Sequence, residues 1–213
     1  MTTLPLRLDR IKSGYTDGAR QLASRAVRFL SESRVTPNQL TALGFSLNIV
    51  AAVLVYQEIY IAAAAVFLVG SIIDILDGAL ARLRGQATTF GAFIDSTTDR
   101  ISEGAVLCAV TLVFVSTGDA WPVVAVFVAM VASFLISYTR ARAEALGLDG
   151  KAGLMGRAER VVLLAAVLVT APWGTLPYGI ALLAILASAT VLQRILSVHR
   201  QLAEREQLSK EHA

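Results

Sequence analysis

Asp74, Asp77, Asp95 and Asp99 stand in a stretch whose other residues are mostly those of lipid-depth helices, and with Gly78, Ala81, Arg82 and Gly91 they form the pattern D-x2-D-G-x2-A-R-x8-G-x3-D-x3-D. A carboxylate at the centre of a membrane helix costs about 2.5–3.5 kcal/mol on insertion scales unless something pairs with it. Repeated at helical intervals, these acids imply a bound cation or a catalytic role. On a helix, Asp74, Asp77, Gly78 and Ala81 share one face, and Gly91, Asp95 and Asp99, spaced i, i+4, i+8, share a face of the next helix. Two facing helices offering carboxylate oxygens and no histidine match hard divalent cations, Mg²⁺ or Mn²⁺, and leave room for a pair of them. Such a pair suits phosphoryl transfer, in which it neutralises a diphosphate and its leaving group.

The small residues fit the same chemistry. Gly78, Ala81 and Gly91 carry no bulk on the faces that hold the acids, so a flat base or a ribose can approach the backbone, and Arg82 near the aqueous edge is placed to neutralise a phosphate. For one such glycine, ordinary packing between membrane helices is the simpler explanation. Structural ion pairs with Arg82, Arg84 and Arg100 would still leave acids unpaired. A proton or cation transporter is the stronger competitor, but it has no need of Gly78 and Arg82 in register with the carboxylates.

The elements that must position these residues follow from composition. A chain of 213 residues that is 55% hydrophobic and 16% charged is too apolar for an ordinary soluble domain. Apolar runs near the ~20 residues that cross a bilayer lie at 38–57, 60–82, 92–116, 121–145, 158–173 and 177–198, which predicts an all-α bundle of six transmembrane helices. Every Lys and Arg lies in 7–34, 82–100, 140–160 or 194–210, and the alternate connections carry none. The positive-inside rule then puts both termini and the aspartates on the cytoplasmic side of a cell membrane. Scattered arginines without clustered aromatics argue against nucleic-acid binding.

Residues 1–34 read as a cytoplasmic, interfacial amphipathic helix, with Leu4, Leu8, Ile11, Leu22 and Phe29 interleaved with Arg7, Arg10, Arg20, Arg25 and Arg28. Thr36 and Pro37 then read as the cap and first position of the first span. Residues 35–200 form the six-span domain and 201–213 a charged cytoplasmic tail that frays as helix. The polar turn Arg84–Thr89 keeps the two halves of the aspartate pattern together. Cys108, the single cysteine, reads as a buried small apolar residue.

At the aspartate pattern the chain resembles the CDP-alcohol phosphotransferase family, with every signature position present over residues 74–99. The resemblance implies a six-span membrane enzyme, homodimeric, that moves a phosphatidyl group from a CDP-linked lipid to an alcohol and releases CMP. It implies that Asp74, Asp77, Asp95 and Asp99 ligate the metals and that Asp99 is also the general base. It implies further that Thr36, Pro37, Asn38, Gln39, Gly78, Ala81, Arg82, Thr88 and Gly91 contact the CDP-lipid.

A second constellation, Arg140, Arg142, Arg157, Arg160 and Arg194, lies on the same predicted side. Arginines at helix ends commonly snorkel, but five near one site suggest a cradle for a phosphorylated acceptor. Ser137–Glu144, Arg157–Arg160 and Gln193-Arg194 resemble the actinobacterial branch of the family that makes phosphatidylinositol phosphate. That resemblance, running from 36 to 196, implies CDP-diacylglycerol as donor and inositol phosphate as acceptor, with Arg140, Arg160 and Arg194 on the acceptor phosphate. Arg142 and Arg157 are read first as partners of Glu144 and Glu159 and second as phosphate ligands, and Glu103 as a partner of Arg100. Glycerol 3-phosphate as acceptor and an archaeal-type CDP-ether lipid as donor are the neighbouring alternatives.

Overall fold

The computed structural model describes residues 33–211, and the amphipathic helix expected over 1–34 lies almost wholly outside them. The described chain is helical, with no strand: α1 Pro37–Tyr56, α2 Tyr60–Leu83, α3 Thr89–Thr117, α4 Ala120–Ala145, α5 Arg157–Thr170, a 3₁₀ turn Ala171–Trp173, and α6 Leu176–Glu211. Five of these, all but α5, are long and apolar enough to cross a membrane. The expected span at 158–173 appears as α5, whose 14 residues extend about 21 Å at 1.5 Å per residue. The 3₁₀ turn continues it to Trp173.

The helices begin and stop where local chemistry dictates. Thr36 caps α1 in a reciprocal box: its hydroxyl accepts from the Gln39 amide and the Gln39 side chain accepts from the Thr36 amide, with Pro37 at the first turn. Thr88 caps α3 by accepting from the Gly91 amide at 2.9 Å. α4 ends in a Schellman turn, in which Gly147 takes φ +67° and the Leu148 amide donates to the Ala143 carbonyl at 2.9 Å.

α1 packs on α2 and α3, α2 on α5, and α4 on α3 and α6, while α2 and α3 touch each other little. The core is built of small and branched residues, among them Val55, Ala63, Phe67, Leu107, Val110, Leu164, Leu168 and Leu183. Outward faces carry Val53, Ile61, Val69, Val115, Phe127 and Ile185 in the open, a surface suited to lipid. Cys108 also faces outward, correcting the buried position read from its apolar neighbours. The apolar run around it is continuous and gives no sign of which side meets the core. α6 does not stop near residue 200. It runs 36 residues, about 54 Å, well past the ~30 Å hydrocarbon thickness, so the expected tail is its last turns.

Candidate active site

The site lies where α1, α2 and α3 converge. At the crossing of α1 and α2, a Cβ added to Gly44 would stand 2.9 Å from the Gly70 carbonyl and 3.3 Å from the Asp74 amide, so only backbone-to-backbone contact fits there. This approach sets the height of Asp74 and, one turn on, Asp77. Both are buried, at 4% and 3% exposure. On α3, Asp95 and Asp99 point into the same space, and one carboxylate oxygen each from Asp74, Asp95 and Asp99 lie within 4.8 Å of one another.

Asp77 stands beside that trio. Its Oδ2 accepts from the Thr41 hydroxyl of α1, and its Oδ1 is buried with no hydrogen-bond partner. Arg157, the first residue of α5, reaches the acids from the other side and ion-pairs with Asp74 Oδ2 and Asp99 Oδ1. A set of closely spaced carboxylate oxygens beside an orphaned buried one fits hard divalent cations; a structural ion pair alone would leave Asp77 Oδ1 unexplained.

A cavity of about 610 Å³ opens beside these acids. Thr36, Pro37 and Asn38 line it from the start of α1, Gly78, Ala81 and Arg82 from α2, and Thr88 and Gly91 from the start of α3, with Asp77 and Asp95 at its floor. All but one of the residues expected to contact the CDP-lipid therefore share one wall system. The exception is Gln39, which is not in the lining and whose side chain is the return half of the Thr36 cap. Thr41, Phe45, Phe90 and Thr98 also line the space and were not singled out from sequence. Thr41 sits one turn after Pro37, a spacing that places it on the face turned to α2 and could have flagged it. The N-termini of both α1 and α3 border the cavity, adding their partial positive charge on the side where Arg82 lies.

The arginines divide differently. Arg160 is 4% exposed and forms a two-pronged pair with Glu103 of α3, at 2.7 and 2.8 Å. That corrects the pairing of Glu103 with Arg100, whose guanidinium instead donates to the Ser96 carbonyl one turn back. Arg194, also 4% exposed, donates to the carbonyls of Ala152, at 3.0 Å, and Ile136. Arg140 pairs with Glu144 at 2.8 Å, taking the partner expected for Arg142, which is exposed at the end of α4. Arg157 joins the acids, while Glu159 accepts from the Gly156 amide and caps α5. The sequence paired arginines with their nearest acids along the chain, whereas Arg157 and Arg160 find their acids on other helices. Arg194 remains within electrostatic reach of Arg140 and Arg160.

The sequence profile of the CDP-alcohol phosphatidyltransferase family matches residues 34–196. The chain belongs to that family. It is a CDP-alcohol phosphatidyltransferase by membership, and its matched stretch begins just before Thr36 and ends just after Arg194. A protein of Aquifex aeolicus with no assigned function is 38% identical over 91% of this chain and 95% of its own. The archaetidylinositol phosphate synthase of Pyrococcus horikoshii is 33% identical over 86% of this chain and 94% of its own. The phosphatidylinositol phosphate synthase of Mycobacterium tuberculosis has been solved with CDP-DAG bound, and that structure aligns with a TM-score of 0.75 and 35% identity over 84% of this chain and 94% of the solved one. The same enzyme in complex with manganese and citrate aligns at 0.74 and 36% identity, over 83% and 88%.

Proposed function

We propose that the chain transfers a phosphatidyl group from CDP-diacylglycerol to inositol phosphate, giving phosphatidylinositol phosphate and CMP. The observation that carries this reading is the meeting, at one end of α2 and α3, of a cavity with small-residue walls and an arginine-bearing layer from α4–α6. Two of the relatives, those of Pyrococcus and Mycobacterium, are synthases of inositol phosphate lipids, and the second has been solved with CDP-DAG bound.

In this reading the nucleotide lies in the cavity, with its base and ribose against Gly78, Ala81 and Gly91 and its diphosphate toward Arg82 and the two helix N-termini. Asp74, Asp77, Asp95 and Asp99 would hold divalent cations, Mg²⁺ or Mn²⁺, as a relative holds manganese. When bound, these cations supply charge neutralisation for the diphosphate and the departing CMP. Asp99 takes the proton of the acceptor hydroxyl as its oxygen bonds to the lipid-bearing phosphorus and the bond from that phosphorus to the CMP oxygen breaks. Arg140, Arg160 and Arg194 form the acceptor-phosphate side, and Arg157 stands between that side and the acids.

Six crossings are part of the proposal. α5 starts at the acids with Arg157, and the chain re-enters α6 beside Tyr178, whose ring lies 5.8 Å from that of Trp121 at the start of α4. α5 and the 3₁₀ turn thus run between the same two ends as α4, and 17 residues from Arg157 to Trp173 are at the short end of what a span needs. The site and both termini then face the cytoplasm, where the basic residues concentrate. The homodimer and the interfacial N-terminal helix rest on the family resemblance and the sequence pattern respectively.

The Pyrococcus relative favours one alternative, a CDP-linked ether lipid as donor. A single CMP-release assay decides among these. CDP-diacylglycerol and its diether counterpart are each offered with inositol phosphate, glycerol 3-phosphate or free inositol. The proposal expects the diacyl donor with inositol phosphate to turn over fastest. Faster release with glycerol 3-phosphate would overturn the acceptor assignment, and a preference for the ether donor would move the chain to the archaetidyl reaction.

A further inference from the structure

One face of α6 grips the loop 146–156 by its backbone. Along that face, Thr190 Oγ1 accepts from the Met155 amide at 3.1 Å and Gln193 Oε1 from the Leu154 amide at 3.0 Å, while Arg194 Nε donates to the Ala152 carbonyl at 3.0 Å. Two turns further, Gln201 pairs with both backbone groups of Asp149, accepting from its amide at 2.9 Å and donating to its carbonyl at 3.0 Å. Arg205 closes the series on the carbonyls of Leu146 and Gly147, the end of the α4 turn. Positions 190, 194, 201 and 205 fall on one stripe of a helix, and the bonds they make read no side chain of the loop.

The loop is shaped to be held. A Cβ on Gly150 would stand 2.9 Å from the Arg140 carbonyl, and one on Gly153, at φ +124°, would stand 2.5 Å from Thr190 Cγ2. It is thus pressed against α4 at Arg140 on one side and α6 on the other, and it delivers Arg157 and Arg160 at the start of α5. Every element bearing an arginine of the proposed acceptor side abuts this loop. Gln201 and Arg205 lie beyond the apolar part of α6 and outside the stretch matched by the family profile.

The geometry points to Gln201 and Arg205 as positioning residues for the acceptor: the terminal turns of α6 set the loop that places Arg140, Arg157 and Arg160, and thereby tune acceptor affinity without touching the donor cavity. This rests on the acceptor side proposed above. The test uses the full-length enzyme in nanodiscs, the variants Gln201→Ala, Arg205→Ala and the pair, and whichever acceptor the wild type turns over best. Loss of each side-chain contact is expected to raise the acceptor KM about five-fold, and of both more than about ten-fold, with the donor KM unchanged. Arg205→Lys, which keeps a donor to the α4 carbonyls, should recover part of the loss. Hydrogen exchange at the Asp149 amide should speed up in Gln201→Ala. Faster exchange with an unmoved acceptor KM, or equal rises in both KM values, would overturn the inference. Failure of the wild type to use inositol phosphate would sink the acceptor assignment instead, and the exchange and KM comparison would still judge the clamp on the acceptor that is used.

Discussion

In α1–α3, Asp77 and Asp95 border a cavity, and Asp77 keeps bonding capacity in reserve, with one oxygen held by Thr41 and the other buried without a hydrogen-bond partner, while Asp74 and Asp99 are paired with Arg157. In α4–α6 the guanidiniums are engaged: Arg160 by both oxygens of Glu103, Arg194 by two carbonyls, Arg140 by Glu144. The first region leaves Asp77 and Asp95 open to the cavity and seats its helices by a tight crossing at Gly44 and Gly70. The second satisfies its charges within the protein and holds them by a loop with clamped backbone. The difference assigns the two regions different parts of the proposed reaction, the first the chemistry and the second the fit of the acceptor.

The most severe way to break this contrast is at Asp99, where the two regions meet through Arg157. Asp99→Asn removes the proposed proton acceptor and is expected to lower CMP release by about 10²–10⁴-fold while donor binding is retained. Donor affinity measured by titrating CDP-diacylglycerol into the variant checks the second half. Loss of donor binding equal to the loss of turnover would make Asp99 a ligand of the donor side only and erase its place between the regions.

The aspartate region was legible because its residues are close in sequence and its geometry is that of two helices and one turn: spacing alone put Asp74 with Asp77 and Asp95 with Asp99, and the turn at 84–88 brought the pairs together. Thr36, Pro37, Asn38, Gln39 and Thr88 entered through the family resemblance and not through spacing, and all of them but Gln39, whose side chain returns to the Thr36 amide, line the cavity. The arginine region was legible in composition and not in pairing. Arg160 and Glu103 are 57 positions apart, and their meeting depends on how α3 sits against α5, which no periodicity records. The length of α5 was blurred for another reason: hydropathy over 158–173 does not register that the helix gives way to a 3₁₀ turn at Ala171.

An intermediate effect is expected at Glu103, which sharpens the second region. Glu103→Ala leaves Arg160 buried and unpaired, which costs about 3–5 kcal/mol, and should appear as a clear fall in Tm in detergent. Removing Arg160 as well should restore part of it, so that the double variant is more stable than the sum of the singles predicts. If Glu103→Ala left Tm unchanged and raised only the acceptor KM, Arg160 would be free to serve as a phosphate ligand first, and the contrast between open and engaged charges would fail there.

The smallest effect belongs to Thr41, in the first region. Its hydroxyl reaches both Asp77 Oδ2 and, at 3.1 Å, the Pro37 carbonyl, so it links the start of α1 to the acid that lines the cavity floor. Thr41→Val keeps the shape and removes this side-chain donor to Asp77 Oδ2. A neutral hydrogen bond contributes about 0.5–1.5 kcal/mol and one to a charged group about 1.5–3. Asp77 is already held in place by the close α1–α2 crossing, so the lower figure applies and turnover should fall about five-fold. Thr41→Ser should restore it, since the donor returns without the methyl group. A loss in Thr41→Val as large as that in Asp99→Asn would mean that the orientation of Asp77 is set by this one bond and not by the helix crossing, and the first region would then depend on engaged side chains as much as the second.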